Sequence, residues 1–297
     1  MVGGDIWVVG ATSILGWTLA TTAARDHAVT PTCSRHNRAP QTRTWARIDV
    51  ERPEDWRRLS RGAPSVLLYC AGVCDVKRCN ADPHFAESIN LGGVTAMLDA
   101  LPASTRLLVC SSDHVFAGRP EPYVESTPPD PISVYGRTRV AAETLVLARR
   151  PDALVVRVAL PIGPSMTGRV GHLDWLRDRH ARGLAMTVID GEHRAAVWAS
   201  DAAERILALA GSDARGIRHL AATRPTGRPE LAAALCRRLG LPGRYDVVRR
   251  DELSQPHLGH IDLRSEFTDA LATPLPTVLD ALKNQTPGWP KAPAPAR

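Results

Sequence analysis

Residues 6–25 constrain the fold most tightly. Ile6-Trp7-Val8-Val9 is a short apolar run that passes straight into Gly10-Ala11-Thr12-Ser13-Ile14-Leu15-Gly16, and a helical pattern then continues to about Arg25. A strand that feeds a helix through a glycine-bearing turn leaves the helix's first N–H groups and the positive end of its dipole facing the turn. The natural occupant is a pyrophosphate. Gly10, Thr12, Ser13, Ile14, Leu15 and Gly16 are therefore the expected phosphate contacts of a bound dinucleotide. Ser13 carries a Cβ that narrows the approach and a hydroxyl that can donate to the phosphates.

A second strand is expected near 28–33, followed by Ser34-Arg35-His36-Asn37-Arg38. NAD-selective sites usually place a carboxylate here for the adenosine ribose. No acidic residue stands between Asp26 and Asp49. NADP(H) is the cofactor this predicts, its 2′-phosphate held by Arg35 and Arg38 with help from Ser34. The next buried strand, 66–70, ends in Cys70-Ala71-Gly72-Val73, where small residues let the backbone pass close to a cofactor.

The segment 105–143 carries the chemistry. Leu107 to Cys110 reads as a buried parallel strand that stops at Ser111-Ser112-Asp113, where side chains stand at a strand's carboxyl end. After a Pro-rich loop, Tyr135 opens a helical pattern. Tyr135 and Arg139 are four residues apart and share a face, so a phenol lies beside a permanent cation, opposite the hydroxyls of Ser111 and Ser112. A tyrosine hydroxyl ordinarily titrates at about 10 and needs a neighbouring cation to work as an acid or base near neutrality.

At these residues the chain resembles the extended short-chain dehydrogenase/reductase superfamily and, within it, the dTDP-4-dehydrorhamnose reductase family. The family's strand-end STDYVF stands here as Ser111-Ser112-Asp113-His114-Val115-Phe116, and its YGRTK as Tyr135-Gly136-Arg137-Thr138-Arg139. Its GxxGxxG turn has Ser13 at the middle glycine, and residues 74–90 follow its TDVDxCExxPxxAxxVN with Lys77 and Asn80 replacing acids. The resemblance implies an NADPH-dependent reductase of a nucleotide-activated 4-keto-6-deoxysugar. Ser112, in preference to Ser111, would bind the carbonyl oxygen and Tyr135 would protonate it. Arg139 stands where the family has Lys, keeping a cation and ribose donors but not a compact ammonium. Asp49 and Val50 match the family's adenine edge, Asn90 a supporting helix position, and Pro161 the crossing beside the nicotinamide. Val73, Asp113, His114, Val115 and Phe116 match its substrate side. The alternative is a non-redox protein on the same fold, similar to the methionine adenosyltransferase regulatory subunit.

Alternating strands and helices up to about residue 163 predict an α/β fold: a doubly wound parallel (Rossmann) sheet with a smaller C-terminal substrate lobe. The expected dinucleotide-binding domain is 1–163, completed by about 198–222. The substrate lobe takes 164–197 and 223–285, and the Pro-rich 286–297 reads as a disordered tail. With 297 residues and 44% apolar content the chain can bury a sizeable core. The lack of a long apolar run or a signal-peptide pattern predicts a soluble, cytoplasmic protein without a membrane partner. The formal charge of +6 is carried almost wholly by Arg. With no basic stripe interleaved with aromatics, it points to anionic small molecules and not to nucleic acid. The six cysteines form no CxxC pair and read as reduced packing residues. No metal site is expected, and a homodimer is compatible with this reading.

Overall fold

A computed structural model of the chain describes residues 4–57, 62–168, 170–253, 257–268 and 275–284. The expected disordered tail lies outside them. Seven strands form one sheet: β1 (Ile6–Val9), β2 (Val29–Cys33), β3 (Ala46–Arg47), β4 (Val66–Tyr69), β5 (Arg106–Ser112), β6 (Leu154–Val158) and β7 (Gly216–Leu220). Every pairing in it is parallel, and the order is β7-β6-β5-β4-β1-β2-β3. The doubly wound α/β fold expected from the sequence is the fold observed.

The sheet is apolar on both faces because helices cover both. Val8, Leu68 and Val156 point into one core with Leu15 and Leu19 of α1 (Ile14–Ala23). Their neighbours Val9, Leu67 and Val155 point into the other, against Val94 and Met97 of α2 (Gly93–Ala100) and Val146 of α3 (Val134–Arg149). This alternation is the two-residue period of a strand buried on both sides.

In the second half, Thr187–Asp190 pairs in parallel with Asp246–Arg249, and His193–Arg194 lies between Thr226–Gly227 and His260–Ile261. These small sheets pack with α4 (His172–Ala181) and α6 (Arg228–Leu239), while α5 (Ala199–Ala210) returns to the main sheet beside α1.

From β1 the chain winds outward through β2 to β3, then crosses back to β4 on β1's other side. The switch in direction opens a crevice at the strands' carboxyl ends. The turn after β1 and the end of β4 meet there. Gly10 has φ 81°, and a Cβ on it would lie 2.7 Å from the Ala71 backbone.

Candidate active site

Ser13 caps α1. Its Oγ accepts from the Gly16 N–H at 3.0 Å and donates to the Gly10 carbonyl at 3.0 Å. The hydroxyl thus closes the turn on itself. A Cβ on Gly16 would sit 2.3 Å from the Gly10 oxygen, so only glycine keeps the turn this tight. The Ile14 side chain fills the space where a Cβ on Gly171 would stand, 2.2 Å from its Cδ1, joining the turn to the second half of the chain.

Beyond β2, Ser34 and Arg38 are exposed, and Arg38 Nη1 donates to the Arg35 carbonyl at 3.1 Å. The Arg35 guanidinium is engaged by the buried Asp55 carboxylate in a two-pronged ion pair, and its backbone N–H donates to Asp49 Oδ1 at 2.8 Å. Val50 packs where a Cβ on Gly93 would lie, and its carbonyl accepts from the Trp56 indole.

Tyr135 enters the site from the first turn of α3. Ser133 caps that turn by accepting the Gly136 N–H at 3.0 Å. Gly136 must be glycine for a steric reason: a Cβ there would lie 2.2 Å from the His114 carbonyl oxygen. The helix therefore lies directly against the 113–115 turn, and the His114 ring meets the Tyr135 ring edge-on at 5.2 Å. Arg139, one helical turn on, places its guanidinium carbon 5.3 Å from the Tyr135 ring centroid. Both side chains are buried. Burial opposes the Arg139 charge, but attraction and hydrogen bonding to Tyr135 outweigh it, and the net shift is upward.

Gly72 makes room for this arginine. Its φ is 143°, and a Cβ would stand 2.4 Å from Arg139 Nη2 and 2.7 Å from Asn90 Oδ1. Asn90 sits in a π-helical turn, Ser88–Gly92, and ties three elements together. Its Oδ1 accepts from the Val73 N–H at 2.9 Å, while its Nδ2 donates to the Val73 carbonyl and to Thr138 Oγ1. Arg139 Nε is buried without a partner among the described residues.

Strand β5 continues through both serines, which therefore face opposite sides of the sheet. The Ser111 hydroxyl donates to Glu143 of α3 and is spent there. Among the described residues Ser112, at the strand end, makes two 3.3 Å contacts: it donates to Asp113 Oδ1 and accepts from the His114 N–H. Of the two hydroxyls expected opposite Tyr135, Ser112 is the one held only by long contacts, so its single O–H can turn from Asp113 to a ligand. Pro161 is partly buried in a short strand beside Val197. Asp113, Val115 and Phe116, expected on the substrate side, are fully buried. Phe116 stacks on Tyr123, and the Asp113 carboxylate is engaged by Arg194 through both oxygens.

Arg194 belongs to a buried cluster that sequence reading did not assemble. Glu192 Oε1 lies 3.1 Å from both Arg194 Nη1 and Arg228 Nε, and Arg228 Nη1 lies 2.5 Å from His172 Nε2. Two carboxylates and two guanidinium groups balance, as burial requires. The chain of contacts runs from His114, 3.4 Å from Arg194 Nη1, to His172 on the wall of a cavity of about 550 Å³. Trp175, Val188, Arg228 and Leu231 line the same cavity, with Asp75 from the first half of the chain. The available signal was a charge at the edge of an apolar stretch: Arg194 immediately precedes Ala195-Ala196-Val197-Trp198.

The sequence model of the RmlD substrate binding domain matches residues 4–261. The chain belongs to this family of extended short-chain dehydrogenase/reductases. Among RmlD relatives, a dTDP-4-dehydrorhamnose reductase of Streptomyces griseus is 32% identical over 65% of this chain and 66% of its own. A dTDP-4-keto-6-deoxy-D-glucose reductase of Streptomyces niveus is 29% identical over 84% of each. Across such Streptomyces relatives the match spans between 55% and 84% of their length. The RmlD fold is shared with dTDP-4-dehydrorhamnose reductase of Bacillus anthracis, solved in complex with NADP, at a TM-score of 0.79 and 18% identity over 94% of this chain and 97% of that one.

Proposed function

We propose that this RmlD-family chain is an NADPH-dependent reductase of a nucleotide-activated 4-keto-6-deoxysugar. The observation that carries the reading is the buried Tyr135–Arg139 pair facing a crevice from which Gly72 removes a side chain, with Arg139 Nε unpartnered. A dinucleotide fits these residues: the Gly10–Gly16 turn would take the pyrophosphate, and the Arg139 donors suit the nicotinamide ribose hydroxyls. When bound, NADPH supplies a hydride to the carbonyl carbon. Tyr135 gives its proton to the carbonyl oxygen, which Ser112 holds by a hydrogen bond. The Arg139 charge stabilises the phenolate left behind. Arg228 and His172 on the cavity wall suit a sugar-nucleotide diphosphate, and Leu176, Val188 and Leu231 beside them suit its base.

Turnover tests the reading: purified protein should consume NADPH when given dTDP-4-keto-6-deoxyglucose, and no loss of reduced-nicotinamide absorbance would refute it. Arg38→Ala is the cleaner probe of NADPH over NADH, because Arg35→Ala would also uncover the buried Asp55. Loss of one charge-assisted contact to the 2′-phosphate should weaken NADPH by about tenfold and leave NADH unchanged, measured by calorimetry. Equal effects on the two would remove Arg38 from the site. Gly72→Ala should weaken NADPH by about tenfold or more, since the new methyl meets Arg139 and Asn90. Unchanged affinity in the same titration would show that Arg139 does not hold the cofactor.

A further inference from the structure

The Ser112 hydroxyl has one proton, and in the proposed reaction two oxygens compete for it: Asp113 Oδ1 and the carbonyl oxygen of a bound substrate. Its contact to Asp113 is 3.3 Å, long for a hydroxyl donor, whose usual distance is about 2.7–2.8 Å. A buried carboxylate beside a serine ordinarily draws that proton in. Asp113 does not, because its oxygens are already served. Arg194 Nε donates to Oδ2 at 2.5 Å, Arg194 Nη2 donates to Oδ1, and the Leu160 N–H adds a further bond to the carboxylate. Burial opposes the Asp113 charge, but the attraction and hydrogen bonds of Arg194 outweigh it and hold the carboxyl below its ordinary range.

The Arg194 fork is itself fixed from behind. Its third nitrogen, Nη1, donates to Glu192 Oε1 at 3.1 Å, and Arg228 Nε lies 3.1 Å from the same oxygen. Arg194 stands on the short strand His193–Arg194 in the second half of the chain, while Asp113 opens the turn just past β5. Two parallel N–H bonds to one carboxylate need a planar guanidinium. A lysine ammonium offers its protons from a single point and cannot cover both oxygens in this way.

We infer that Arg194 is a positioning residue for the catalytic strand end. By occupying both oxygens of Asp113 it keeps that carboxylate from capturing the Ser112 hydroxyl, which is left to donate to the substrate carbonyl oxygen. Arg194 acts through Asp113 and Ser112, not by touching the reacting atoms. Its effect on turnover rests on the reductase reading; the placement of Ser112 does not.

Arg194→Lys keeps the charge and loses the fork. In its crystal structure the distance from Ser112 Oγ to Asp113 Oδ1 should shorten from 3.3 Å to about 2.7 Å, and an unchanged distance overturns the inference. With dTDP-4-keto-6-deoxyglucose, kcat should fall by about tenfold while NADPH affinity stays within about threefold. In a Ser112→Ala background Arg194→Lys should lower kcat by less than about twofold more, since no hydroxyl remains to misplace. A loss of about tenfold in both backgrounds overturns the inference. Asp113→Asn with Arg194→Met removes one charge of each sign and leaves Glu192 to Arg228, so it serves where Arg194→Lys does not fold. With no carboxylate to capture the hydroxyl, adding Ser112→Ala to that pair should still lower kcat by about tenfold, and no loss overturns the inference. If the wild type turns over no keto-sugar nucleotide, the reductase reading fails, and the distance from Ser112 Oγ to residue 113 alone decides for Arg194: it should shorten in Arg194→Lys and not in the pair.

Discussion

Tyr135→Phe is expected to lower kcat by about 10²–10⁴-fold, the range that a positioned general acid contributes. Among the described residues at this end of the sheet, Ser111, Ser112, Asp113 and His114 are committed elsewhere or too weakly acidic to replace it. Ser111 is spent on Glu143, Asp113 is locked on Arg194, and His114 presents an N–H held by a ring that burial keeps neutral. Losing only the hydroxyl keeps the ring that His114 and Arg139 pack against, so NADPH affinity should change by less than about threefold. Pre-steady-state NADPH oxidation separates the two quantities. Retention of most of the wild-type rate would move the proton donor elsewhere.

Glu143→Ala is expected to destabilise the fold by about 3–5 kcal/mol, the cost of leaving one member of a buried ion pair behind. Glu143 sits one turn beyond Arg139 on the same face of α3, accepting from Ser111 of β5 and from Arg157 Nε and Nη2 of β6, the latter at 2.7 Å. Arg157 is 2% exposed and packs over the Phe116 ring at 5.2 Å. Without the carboxylate its charge would be stranded in the core. This contact fixes how far α3 slides along the sheet, and hence where Tyr135 and Arg139 stand. Urea unfolding should show the midpoint falling with the slope unchanged. Glu143→Met with Arg157→Met, which removes both charges, should cost less than Glu143→Ala alone, and a greater cost would mean that the charges themselves stabilise the helix–strand contact.

The parts of this molecule legible in the sequence are those written locally. The strand, turn and helix of residues 6–25 and the strand end and helix of 107–143 are contiguous, and each carries its own period, glycine or cap. Asn90, Gly72 and Arg139, far apart in sequence, were each placed by a motif and meet in one cluster. What stayed illegible was pairing between distant charges. Arg35 finds Asp55 across twenty residues, and Asp113 finds Arg194 across eighty-one. Neither partner has a periodic signature. The buried face of α3 hides its character for the same reason: Arg139 and Glu143 lie on it with Tyr135, Ala142 and Val146, so apolar spacing alone marks the wrong residues as core. Strand alternation separates Ser111 from Ser112 because β5 runs on to Ser112, two residues past the apolar run that ends at Cys110.

The most direct measurement is deuteride transfer. Wild-type protein supplied with NADPH deuterated at the nicotinamide C4 position and dTDP-4-keto-6-deoxyglucose should give one product alcohol per NADPH consumed, with the label on the former carbonyl carbon. Binding of NADPH with no labelled alcohol, in the wild type and equally in Arg139→Lys, would contradict the reductase and leave a chain that keeps the cofactor crevice without redox chemistry.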